Sequence, residues 1–385
     1  MNNLLTGLVI GTLSSSAFAT TWTVDDDGKA DFDNIQAAID YASNGDEIIV
    51  MPGTYTGTGD SVINTLGKQL WIHSSDSYEK TIIDGELLRR GIECSTDETS
   101  GTIIEGITIT QGRLADSPGG GLYCKNAFPS FINCSFENNA AGTNGGGAHC
   151  VNGGASFTAC KFSSNSATRG GGVNTFRSAV TFTECLFEDN QSSTYGGCMY
   201  SYGNSSSGDP LRLLNCMIKN NTADSGGGLY LNSASNVITD CAIVGNTAYQ
   251  AGGGMFNNQS SNPMITNCAF RFNESIADSG GGIRSVSGSS PGISDTQFCS
   301  NFHNGGHIGG NIVGNYVDLG GNDFLQECPD CPGDVDDSGV VDVNDIIAII
   351  IVWNCTDCDA EDINGNGVVE VNDLIELVSN WGPCE

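Results

Sequence analysis

Between Gly119 and Gly310 two short phrases alternate at an almost fixed period, and this alternation constrains the fold more than any other feature of the chain. The first is a glycine cluster, at Gly119–Gly121, Gly145–Gly147, Gly170–Gly172, Gly196–Gly197, Gly226–Gly228, Gly252–Gly254, Gly280–Gly282 and Gly309–Gly310. The second is C-x-[FI]-x-x-N, at Cys134–Asn139, Cys160–Asn165, Cys185–Asn190, Cys216–Asn221, Cys241–Asn246 and Cys268–Asn273. A last copy, Phe298–Asn301, carries Thr296 where the cysteine would stand. The period is mostly 25 to 28 residues, with one longer turn around "SSSGDP". Repetition of this length is the mark of a solenoid, each copy forming one coil on top of the last.

Within a coil the apolar residues alternate over short runs and never take helical spacing, which predicts strands. Two or three strands per coil, joined by Gly/Asn/Ser corners, give an all-β fold: a parallel β-helix of about ten coils, roughly 50 Å long at one strand spacing per coil. Glycine suits corners with positive φ and close backbone approach. Asparagine tolerates the left-handed bend and can bond its side-chain amide to equals above and below.

Period-2 geometry then sorts the columns. Cys134/Phe136 and their equivalents through Cys268/Phe270 point inward together. Coils about 4.8 Å apart permit disulfides along such a column, but a ladder of buried thiols is the expected state. Cys124 and Cys150, an isolated pair, are the better disulfide candidates. After each glycine cluster, Leu122, Ala148, Val173, Met199, Leu229, Met255 and Ile283 face inward. Tyr123, His149, Asn174, Tyr200, Tyr230, Phe256 and Arg284 then form an outward row. An outward aromatic row either offers a stacking platform to sugar rings or stabilises the sheet by pairing its own neighbours. Tyr123, His149, Tyr200, Tyr230, Phe256 and Arg284 are therefore the candidate ligand-binding residues.

Ahead of the repeats, a strand at Trp22–Val24 leads to a helix over Ile35–Ala42 capped by Asp33, then a buried strand Glu47–Val50. A helix closing the open end of a solenoid is expected. This segment, with "KTIIDGE" and "TIIEGITITQG", resembles the right-handed parallel β-helix group of pectin and pectate lyases. The GGG[LVAI]…FxxN alternation is similar to repeats of chlamydial polymorphic membrane proteins, which are surface adhesins. The resemblance covers roughly residues 20–320 and implies the fold; lyases, hydrolases, tailspikes and adhesins all use it.

After "CPDCPG" a second duplication appears: "DVDDSGVVDVNDIIAIIIVWN" and "DINGNGVVEVNDLIELVSNWG", offset by 28 residues. Each opens with a calcium-loop pattern of oxygen donors, a turn glycine and a carbonyl donor. The ligands are Asp334, Asp336, Ser338, Val340, Asp342 and Asp345 in the first, and Asp362, Asn364, Asn366, Val368, Glu370 and Asp373 in the second. Two calcium ions are therefore expected, each followed by a short apolar helix. The pair resembles a type I dockerin, which implies a cohesin-like scaffold partner. Val343-Asn344 and Val371-Asn372 depart from the Ser-Thr pair common at the partner-reading positions. Cys328-x-x-Cys331 and Cys355-x-x-Cys358 fit either zinc or disulfides, and a secreted calcium unit favours disulfides.

The chain carries 45 acidic against 14 basic residues, a net charge of −31, and no lysine or arginine after Arg284. That excludes nucleic acid and anionic membrane as natural partners. "MNNLLTGLVIGTLSSSAFA" reads as a secretory leader ending at Ala17-Phe18-Ala19, and no apolar stretch is long enough to span a membrane. The expected layout is a leader at 1–19, a β-helix at 20–326 and a duplicated calcium-loop unit at 327–385. No set of converging acids, as in glycosidases, is legible, and basic residues stand singly apart from Arg89-Arg90 near Asp84 and Lys80, read as a solvated face. The leading expectation is a secreted, non-catalytic carbohydrate-binding or adhesive rod at the cell surface. The alternatives are a dockerin-bearing polysaccharide lyase or glycoside hydrolase, and a purely structural envelope component.

Overall fold

The computed structural model describes residues 19–203, 210–277, 280–303, 307–308, 310–328, 335, 340–341, 343–351, 355, 363, 368–379 and 382–383. Strands of successive repeats pair in parallel into sheets of 12, 11, 10 and 9 strands, which the chain visits in turn. The fold is a parallel β-helix, as the repeat predicts. In one coil Ala148–Val151 lies in the 10-stranded sheet, Ser156–Thr158 in the 12-stranded, Lys161–Ser163 in the 11-stranded and Ser166–Arg169 in the 9-stranded sheet. Four strands per coil replace the two or three expected. The extra strand is the Ser/Thr/Ala-rich stretch after each asparagine, too small and polar to show an apolar alternation.

Most corners turn on a single left-handed residue. Asn133, Ala159, Glu184, Asn215, Asp240, Asn267 and Asp295 turn the chain just before the cysteine column; Asn138, Ser164, Asp189 and Asn220 turn it before the asparagine column. The first glycine of a cluster makes the third corner, with φ of 64° at Gly145 and 65° at Gly226. Its successor is needed for a different reason. A Cβ on Gly146 would stand 2.5 Å from the Ser166 carbonyl oxygen and 2.6 Å from that of Gly171, so no larger residue fits between the coils there.

The interior is built from columns. Phe131, Phe157 and Phe182 stack at 5.0 and 4.9 Å, and Phe136, Phe162 and Phe187 at 4.8 and 5.1 Å. The two columns meet edge to face, as between Phe157 and Phe162 at 5.4 Å, the arrangement that aromatic quadrupoles favour. Beside them the cysteines from Cys134 to Cys268 are buried and reduced. Their thiols meet main-chain oxygens, Cys134 Sγ at 3.4 Å from the Ile104 oxygen, and the thiols of neighbouring coils, as Cys160 does those of Cys134 and Cys185. Burial pushes the thiols of Cys94, Cys160, Cys198 and Cys241 well above the ordinary range. They pack as small hydrophobes. Cys124 and Cys150 are also free, a correction to their expected disulfide: they continue a register column from Cys94.

A third column is wholly polar. The side-chain amides of Asn139, Asn165, Asn190, Asn221, Asn246 and Asn273 each donate to the Oδ1 of the asparagine one coil on, at 2.9–3.1 Å, and Asn301 passes the ladder on to Asn311 at 2.9 Å. Each also donates to a main-chain oxygen, as Asn190 does to Phe162 at 2.8 Å. The ladder asparagines from Asn139 to Asn301 are buried, and the ladder satisfies amides that would otherwise be left dry.

At the amino end, helix α1 (Ile35–Tyr41) sends Ile35, Ala38 and Ile39 into the solenoid core. Its cap is Asn34, not Asp33: Asn34 Oδ1 accepts from the Ala37 amide at 2.8 Å. At the other end Cys299 and Cys328 form a disulfide, which removes Cys328 from any zinc site. Cys355 is also disulfide-bonded. Beyond it, α2 (Val343–Ile351) and α3 (Val371–Ser379) share a small core of Val341, Ile349, Val369 and Leu377. Among the described residues no helix is long and apolar enough to cross a membrane.

Candidate functional site

The 10-stranded sheet carries the row singled out in the sequence. Its register is as expected: Tyr123, His149, Asn174, Tyr200, Tyr230, Phe256 and Arg284 occupy one position in successive strands. Their exposure is not. His149, Tyr200 and Tyr230 are only 6, 8 and 5% accessible, while Tyr123, Phe256 and Arg284 are intermediate. The row is the covered floor of the face rather than an open platform.

The neighbouring sheet explains the cover. Strand Gln191–Tyr195 of the 9-stranded sheet ends where the glycine corner turns back, and its Tyr195 lies 4.5 Å from Tyr230 and 6.1 Å from Tyr200. Tyr200 and Tyr230 are themselves 5.4 Å apart, and Phe256 stacks on Tyr230 at 4.9 Å. Tyr123 is flanked by His149 at 5.9 Å and carries the Arg90 guanidinium at 4.7 Å. Arg90 is buried and donates to the Gly119 and Pro118 oxygens and to Glu93. The solvated-face reading thus fails for Arg90, whose charge fixes the first glycine corner. Burial, with a smaller push from Arg90, lowers His149 to about 4 despite a hydrogen bond with Asn174. Its Nδ1 is buried with no hydrogen-bond partner.

A second outward column, two residues further along each strand, meets solvent. It runs Lys125, Val151, Phe176, Tyr202, Asn232, Asn258. Phe176, 36% accessible, stacks on Tyr202 at 5.1 Å with the rings 11° from parallel, and Arg177 lies 5.3 Å over Phe176. Asn232 and Asn258 each donate to a floor hydroxyl, to Tyr200 at 3.2 Å and Tyr230 at 3.1 Å. The accessible side of the face thus presents two stacked rings, amide groups bridging to tyrosine hydroxyls, and the exposed cations Lys125 and Arg177. Sequence reasoning passed over this column although it shares the parity of the aromatic row; counting two residues onward would have found it.

On the 11-stranded sheet Glu188 bridges Lys161 at 2.6 Å and Lys219 at 3.9 Å, from the coils on either side. These contacts lock register. His303 and His307 are register partners in a short antiparallel strand pair.

Of the expected calcium ligands, Asp334, Asp336, Ser338, Asp342, Asp362, Asn364 and Asn366 lie outside the described residues, as does most of the expected leader. Val340 falls in a two-residue strand paired with Gly382–Pro383. Asp345 and Asp373 are fully buried at the starts of α2 and α3. Asp345 accepts from the Val335 amide and Asp373 from the Glu370 amide, both at 2.7 Å. Val368 and Glu370 are part-buried beside them. Two dry carboxylates in a segment whose sequence contains no lysine or arginine are the donor chemistry that suits a hard cation.

No protein-family model matches the chain, and no curated protein matches it. Among solved structures it is similar in outline to pectate lyase Pel9A (14% identity, TM-score 0.46, covering 85% of this chain and 87% of that one). It is also similar to a pectin methylesterase from carrot (12%, 0.38, covering 80% and 89%) and to a rhamnogalacturonan lyase (13%, 0.38, covering 72% and 87%).

Proposed function

We propose that the chain is a secreted, non-catalytic glycan-binding rod, held in place through its carboxy-terminal calcium-loop unit. The observation that carries this reading is the Phe176–Tyr202 stack on the 10-stranded sheet, set among the amides of Asn232 and Asn258 and the cations Lys125 and Arg177. Flat aromatic faces take the apolar faces of sugar rings, and amides take their hydroxyls. The cations favour a glycan bearing carboxylates or sulfates, on a molecule whose net charge of −31 would otherwise repel it.

Tethering is supported by a duplicated surface. Val343, Ile347 and Ile350 on α2 and Val371, Ile375 and Val378 on α3 are all about half exposed, at matching places in the two repeats. Such twin aliphatic stripes suit a cohesin-like scaffold that reads either helix. Asp345, Val368, Glu370 and Asp373, with the remaining loop residues, would hold the two calcium ions, whose charge neutralises the buried acids.

The test is affinity electrophoresis through gels containing pectate, alginate, sulfated galactan or a neutral xylan. Retardation in an acidic glycan is expected, with Phe176→Ala plus Tyr202→Ala weakening it by about tenfold, the size of one lost stacking contact. Unretarded migration in every gel would overturn the reading. Release of unsaturated or reducing ends from any of these glycans would favour an enzyme instead.

A further inference from the structure

The first coil contains a carboxylate placed to receive a new chain terminus. Asp46 is 6% exposed and accepts three hydrogen bonds. Ser43 N and Trp22 Nε1 donate to Oδ2 at 2.9 and 3.1 Å, and Thr20 N donates to Oδ1 at 2.8 Å. Thr20 is held from its other side as well, since the Glu47 amide donates to its carbonyl oxygen at 2.9 Å. The backbone nitrogen that meets Asp46 therefore belongs to the residue directly after Ala17-Phe18-Ala19, the small-x-small sequence of the leader.

We propose that a leader peptidase cleaves the Ala19–Thr20 bond, and that the Thr20 α-ammonium so released pairs with Asp46 and locks the first coil. Hydrolysis consumes one water, leaves a carboxylate on Ala19, and frees an amine on Thr20 that takes up a proton. The amide N–H donated to an ionised carboxylate then becomes an ammonium–carboxylate ion pair, with opposite charges on both partners, on the edge strand Thr21–Val24. That strand ends the 12-stranded sheet, pairing along its length with Glu47–Val50 and bridged on its other side at Val24 by Phe32, so a clamp at its first residue opposes fraying where the solenoid is weakest.

The charges around the pair are few. Lys68 lends a favourable field to Asp46 but is itself turned to the carbonyl oxygens of Ile39, Asp40 and Ala42 at the end of α1. Glu47 accepts from Thr21 Oγ1 at 2.6 Å and contacts His73 Nε2 at 3.0 Å. Asp46 is thus the carboxylate in hydrogen-bond contact with the Thr20 nitrogen. Burial opposes the charge of Asp46, but its hydrogen bonds outweigh that and hold it below the usual carboxylate range, so it is ionised at neutral pH.

The sign of the linkage follows. An α-amine paired with Asp46 has a folded-state pKa raised above its usual value of about 8. The added stability is present below about pH 8 and is lost as pH rises through the raised value. The experiment takes the secreted full chain, reads its first residue by terminal sequencing, and measures the α-amine pKa by competitive acylation. Expected are a start at Thr20 and a pKa at least about one unit above 8, returning to about 8 in Asp46→Asn. A chain released with Ala19 retained is the control should Asp46→Asn fold poorly, since its amine lies one residue too far and should titrate near 8. A different first residue, or an amine at Thr20 that titrates at 8 or below in the native chain, would overturn the proposal.

Discussion

His149 shows how one side chain in a column acquires a property that its position in the row did not suggest. It stands in register between Tyr123 and Asn174, and the cover that dries the floor of the face also denies its ring a proton. The unfolded chain protonates this histidine near pH 6.5, whereas the folded chain resists until about 4. Stability from this source is therefore full above about pH 6.5 and falls as pH drops toward 4, by about 2–4 kcal/mol for a gap of this size. Denaturant titrations across that window should show the loss in the native protein and a shallower one in His149→Gln. Equal slopes would mean that the ring is hydrated in the native state. The residue's place in the row was legible from the spacing after Gly145–Gly147; its burial was not, because spacing fixes the parity of a side chain and not what packs around it, here Tyr123, Asn174 and Arg90.

Elements whose sequence repeats strictly were legible, and those without apolar rhythm were not. The inward phenylalanine, cysteine and asparagine columns follow from the C-x-[FI]-x-x-N phrase, and the asparagine ladder forms as the spacing implies. The 9-stranded sheet, built from stretches such as Ser166–Arg169 and Gln191–Tyr195, did not announce itself. Its small side chains pack against backbone, so no alternation marks them, and the exposure of the aromatic row was misjudged as a result. Cys299 was passed over for the same kind of reason, since its partner Cys328 follows the last repeat and shares no column with it. In the carboxy-terminal unit the described residues enclose four aliphatic side chains and, at the helix starts, the carboxylates of Asp345 and Asp373, groups whose burial is costly unless a cation balances them. Chelation of calcium should therefore melt α2 and α3, seen as loss of the helical circular-dichroism signal while the β signal persists. Retention of both signals in excess chelator would show that these helices stand without metal.

At the scale of the molecule, stability and function both follow from stacking. Each coil contacts only its neighbours, so the solenoid is a quasi-one-dimensional body whose weak points are its ends. The Thr20–Asp46 contact and helix α1 lie at one end and the Cys299–Cys328 disulfide at the other. The same stacking turns single residues into faces: Phe176 and Tyr202 are 26 positions apart in sequence yet present one continuous aromatic surface. The most direct measurement is a distance along one column. Thr158 and Ser294 lie in the 12-stranded sheet, linked through Thr183, Leu214, Thr239 and Thr266 by five strand steps. Spin labels on Thr158→Cys and Ser294→Cys should give a narrow dipolar distance near 24 Å, five spacings of about 4.8 Å. A broad distribution, or a centre beyond about 35 Å, would contradict the stacked columns on which the proposed glycan face depends.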